Sequence, residues 1–85
     1  MSVSTEWQET TYQGTFEEEM RGLARRRQSD LACKIEDLEG TLKHLYILDG
    51  SDHGGRGTLQ DIIIAARIAA YERFITQWKA EINSL

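Results

Sequence analysis

An all-α, antiparallel two-helix hairpin is the architecture this 85-residue sequence predicts, and three observations predict it. Thr58 to Leu85 is a near-unbroken run of helix formers in which Ile64, Ile68, Tyr71, Ile75, Trp78, Ile82 and Leu85 step by four and three, the spacing that holds an apolar stripe on one side of a helix. Upstream, Leu31, Ile35, Leu38, Leu42 and Leu45 follow the same alternation in a coiled-coil-like seam. Between the two runs, Asp49-Gly50-Ser51-Asp52-His53-Gly54-Gly55-Arg56-Gly57 packs four glycines into nine residues, which neither helix can continue through.

Residues 1–14 read as a flexible polar segment whose only large apolar groups are Trp7 and Tyr12. Thr15 followed by Glu18 has the form of a capping box, and Glu17, Glu18 and Glu19 would complement the dipole of a helix starting there. The first helix is therefore expected over residues 15–48, the turn over 49–57 and the second helix over 58–84, where Thr58 and Asp61 repeat the cap pattern. Gly22 and Gly40 each cost about 1 kcal/mol relative to alanine in a helix. Gly22 suggests a bend, and Gly40 a close approach of the neighbouring helix.

The second helix carries another apolar row, Leu59, Ile63, Ala66, Ala70 and Phe74. So wide an apolar arc needs more than one neighbour, and the predicted hairpin offers only one. A partner, or dimerisation into a four-helix bundle, is expected to complete the fold. Size points the same way, because a domain this small draws only about 3–5 kcal/mol from a single core. Cys33 is the only cysteine, so no intramolecular disulfide can add to it, and no paired Cys or His spacing suggests structural zinc.

The formal net charge of −4 disfavours nucleic acid and anionic lipid as partners. Arg25, Arg26 and Arg27, with Glu17, Glu18, Glu19 and Asp30 close by, read as a solvated helix face. No run approaches the roughly 20 apolar residues of a membrane span, and the start Met-Ser-Val-Ser-Thr-Glu lacks the form of a secretion signal. The expectation is a soluble, cytoplasmic protein.

No constellation meets the demands of a reaction. Asp49, Ser51, His53 and Gly54 occupy the first, third, fifth and sixth positions of a calcium loop, but the twelfth is Gln60 rather than a bidentate Glu. Gly54 to Thr58 precedes a helix as phosphate loops do, without the Lys or the preceding strand. Cys33 and His44 lie about three turns apart on the expected helix, outside hydrogen-bond reach, and His44 and His53 read as solvated. Tyr71, Phe74 and Trp78 form core or interface more readily than a ligand box, with Trp78 the expected anchor. No catalytic residue, cofactor or metal site is assigned, and an enzyme is not expected.

Ile35-x-x-Leu38-Glu39-x-x-Leu42-x-x-Leu45, the Gly54-Gly55 turn and the Ala/Ile-rich stretch Ile62 to Ala70 followed by aromatics resemble the small helical-hairpin co-chaperones of the type III secretion needle subunit. The likeness covers roughly residues 30–85. It implies a non-enzymatic cytoplasmic adaptor that binds a helical-repeat chaperone and helps keep the needle subunit soluble before export. Carried over from it are hairpin faces: Leu38, Leu42 and Leu45 on the first helix, and Ile64, Ile68, Tyr71 and Ile75 on the second. The apolar stripe adds Trp78 and Ile82 as expected partner contacts. A self-associating helical-bundle structural protein and a small ligand-binding regulator are the alternatives.

Overall fold

The computed structural model describes residues 6–50 and 58–84, and within them the protein is all-helical: α1 (Glu6–Ser29), α2 (Ile35–Gly50) and α3 (Thr58–Asn83). There are three helices rather than the two predicted. The residues expected to form one rod over 15–48 are divided between α1 and α2, and α1 begins within the segment taken for a polar tail. Glu6 and Glu9 in its first turn complement the helix dipole. Thr15 and Glu18, predicted to start a helix, lie in the middle of one.

The chain leaves α1 at Asp30 by a local side-chain device. The Asp30 amide still donates to the Arg26 carbonyl at 2.9 Å, but the Ala32 amide turns to Asp30 Oδ1 at 3.0 Å and the Cys33 amide to the Asp30 carbonyl at 3.0 Å. An aspartate that satisfies the backbone two residues on offers it an alternative to the helix. Entry to α2 is fixed the same way, since Asp37 Oδ2 accepts from the Lys34 amide at 3.0 Å while the Leu38 amide reaches the Lys34 carbonyl at 3.4 Å. That is half of a capping box with Lys34 at its N-cap. Leu31, expected to open the seam, is 94% exposed in this turn, whereas Cys33 is buried there. Gly22 and Gly40 also depart from expectation. Both helices run through them, and a Cβ at either would meet nothing within 4 Å.

Helix α3 is the central element, packing against both α1 and α2. Cross-links give the directions. Glu19 pairs with Arg67 at 3.1 Å and Arg27 with Glu81 at 2.9 Å, so α1 and α3 run parallel. Glu39 pairs with Lys79 at 2.7 Å and the Tyr46 hydroxyl donates to Glu72, so α2 and α3 run antiparallel.

The two apolar rows of α3 thereby find separate neighbours. Phe74 lines a shallow depression with Ala24 and Arg27 of α1, and Ala70 and Ala66, four and eight residues earlier on the same side, are fully buried. Their small side chains let α1 approach closely. Ile68 and Ile75 share the side of Glu72 and Lys79, the residues bonded to α2. Leu23 of α1, Cys33, Leu38 and Leu45 of α2, and Tyr71, Phe74 and Ile75 of α3 form one core cluster, with Met20, Ile35, Leu42, Ile68 and Trp78 packed against it.

Candidate functional site

The residues predicted to bind a partner divide into three groups. Leu38, Leu45, Tyr71 and Ile75 are buried in the core, at 1%, 2%, 5% and 5% exposure, where they cover one another. Leu42, Ile68 and Trp78 are partly buried against that core, and Ile64 is half-buried. Ile82 alone is half exposed, at 50%. As folded, most of the expected partner face is used within the chain: Leu38, Leu45 and Ile75 lie where α2 meets α3, while α1 covers the other apolar row of α3.

Apolar surface remains elsewhere. Tyr46, Ile47 and Leu48 in the last turns of α2 and Leu59 in the first turn of α3 are exposed, Ile47 at 58% and Leu59 at 50%. Three consecutive helical residues span about 200° of arc, so all three cannot point inward. Leu45 takes the buried position just before them, and Ile47 points away from the core. With Tyr46 opposite Glu72 on an antiparallel path, the end of α2 at Gly50 comes roughly level with Ile68. The ten residues of α3 back to Thr58 extend about 15 Å further, at 1.5 Å per residue. Beside that extension runs the start of α1, where Gln8, Glu9, Tyr12 and Gln13 form a shallow depression with Ile62.

Tyr46 ties this region to α3 electrostatically. Its hydroxyl donates to the Glu72 carboxylate, and that hydrogen bond raises the phenol pKa above its ordinary value, with burial and the nearby negative charge acting in the same direction.

The residues weighed for chemistry are not brought together. His44 is exposed on α2, and Cys33 is buried in the interhelix turn rather than on a helix. Among the described residues no group of three or more His, Cys, Asp or Glu could hold a metal ion. Asp49 lies in α2, whereas Ser51, His53 and Gly54 of the calcium-loop pattern, and Gly54–Gly57 of the phosphate-loop pattern, fall outside the described residues. Among the described residues no helix is long and apolar enough to cross a membrane.

Comparison with protein-family models, with curated proteins and with solved structures finds no match to this chain.

Proposed function

We propose that this protein is a non-enzymatic helical adaptor, and that the surface it offers a partner is the Tyr46–Ile47–Leu48 ridge together with Leu59. The carrying observation is that these four large apolar side chains are 40–58% exposed although buried positions exist on the same helices. Large apolar side chains left to solvent at the end of one helix and the start of the next are where a partner can add contact area. A helix laid along the exposed start of α3 would cover Leu59 and complete a four-helix arrangement through a partner, which would reach Ile47 by continuing past the end of α2.

The needle-subunit co-chaperone is a narrower form of this proposal. It places the adaptor in the cytoplasm with a helical-repeat chaperone and the needle subunit as partners, and it rests on the residue resemblance alone. Its contacts shift from Leu38, Leu45, Tyr71 and Ile75, which the core uses, to the ridge and Ile82.

A photo-crosslinking amino acid placed at Ile47, with exposed Glu36 as control, tests the surface in cells. A discrete protein adduct at position 47, absent at position 36 and lost on Leu59→Asp, is the expected result. Equal labelling at both positions would remove the ridge as a binding surface.

A further inference from the structure

Helix α1 has a charge order that its own chain does not use. Its ionic residues up to Glu19 are all acidic, Glu6, Glu9, Glu17, Glu18 and Glu19, and those after it are all basic, Arg21, Arg25, Arg26 and Arg27. The helix dipole accounts for the ends, but its effect fades beyond the first and last turns, and Glu17, Glu18 and Glu19 lie near the middle. Pairing along the helix does not account for them either. Glu17 accepts from Gln13 at 2.9 Å rather than from Arg21, and the residue four after Glu18 is Gly22. Glu19 and Arg27 are taken by Arg67 and Glu81 of α3. That leaves Glu18, Arg21, Arg25 and Arg26 exposed, with no ion-pair partner among the described residues.

Glu18, Gly22, Arg25 and Ser29 step by four, three and four, so they share the side of α1 opposite Met20 and Leu23. We propose that this side joins α1 to α1 of a second copy, antiparallel, about a two-fold axis at Gly22. Rotation about that axis brings Arg25 and Arg26 of each copy to Glu18 of the other, twice over, as a self-complementary two-fold interface requires. A parallel pairing would set Glu18 against Glu18 and Arg25 against Arg25, and like-charge contacts select against it. At the crossing point a Cβ on Gly22 would meet nothing within 4 Å in its own chain, so no intramolecular contact requires glycine there. Its missing side chain lets two backbones come close. The interface leaves Ile47 and Leu59 unused and stands independently of the adaptor proposal.

The 24 residues of α1 give a contact about 36 Å long and one helix wide, at the small end of specific interfaces. The pairs that hold it are exposed charges, so dimerisation weakens as salt rises. Sedimentation equilibrium of the full chain, from micromolar to millimolar concentration at low and high salt, reads this directly. Glu18→Arg alone, or Arg25→Glu with Arg26→Glu, weakens self-association by about tenfold or more. Mixing the two charge-reversed chains restores a dimer, because each then supplies the charge the other lacks, and this recovery separates lost pairing from failure to fold. Gly22→Ala keeps or raises the melting temperature while weakening the dimer. A chain monomeric at low salt throughout, a dimer indifferent to both reversals, or no recovery on mixing would overturn the proposal.

Discussion

The guanidinium carbon of Arg27 lies 4.2 Å from the centroid of the Trp78 ring, and its Nη2 is 2.9 Å from Glu81. One α1 side chain thereby caps the far end of α3, and Trp78 meets Phe74 edge-to-face, with ring centroids 6.1 Å apart. A cation over an aromatic face at a partly exposed site contributes about 0.5–1 kcal/mol, and an exposed ion pair less than about 1 kcal/mol. Arg27→Ala should lower stability to urea by about 1 kcal/mol, and the loss should shrink when Trp78 is already leucine. Additive losses would mean the ring and the guanidinium are not coupled.

Ala66 and Ala70 set how close α1 approaches. Both are fully buried, so Ala70→Leu forces extra volume between two packed helices, at a cost of about 1–3 kcal/mol. Stability unchanged by Ala70→Leu would show that α1 does not rest on this side of α3.

Gly40 is exposed in mid-helix with open space where a Cβ would go. Gly40→Ala should stabilise by up to about 1 kcal/mol, raising the melting temperature by about 4–8 °C. A fall in melting temperature would mean that another element approaches there.

At the α1–α2 turn the prediction is a contrast. Asp37→Ala removes the acceptor for the Lys34 amide and should cost about 1 kcal/mol, whereas Leu31→Ser, at a 94% exposed position, should change stability by less than about 0.5 kcal/mol. If residues 15–48 were one continuous helix, Leu31 would be a seam residue and the order would reverse.

The raised pKa of Tyr46 has a definite sign. Its neutral hydroxyl donates to Glu72 in the folded chain, so the folded value lies above the unfolded one. The stabilisation is full below the ordinary phenol range and is lost as pH rises through the raised value. Ultraviolet titration should show the Tyr46 phenol ionising above the ordinary value of 10.0, and Tyr46→Phe or Glu72→Gln should remove that late step. A titration curve unchanged by either variant would place the late phenol elsewhere.

Much of this fold was legible in the sequence, and the parts that were not have physical causes. The two apolar rows of α3 were visible as spacing, and the inference that they need two neighbours agrees with the packing. The identity of the second neighbour was not visible, because Thr15 and Glu18 have the form of a helix start while lying inside α1. A capping box acts only where the helix ends, and nothing before Gly14 forces an end. The break after Ser29 has no glycine or proline to mark it and rests on the Asp30 and Asp37 carboxylates. Which apolar row of α3 meets which helix was not legible, because spacing shows that two faces are apolar without showing that α2 takes the side of Ile75 and α1 the side of Phe74. The surface signal missed was the run Tyr46-Ile47-Leu48, too broad in arc for one buried face.

The account depends above all on the chain folding back at Asp30, so that α1 and α2 flank α3. Spin labels at exposed Glu17 and Ile47 measure this by pulsed electron resonance, in samples diluted with unlabelled protein. The fold described here predicts a separation below about 30 Å, from helices about 8–10 Å apart with these residues at similar heights along α3. A separation near 45 Å, the length of about 30 continuous helical residues, would contradict it.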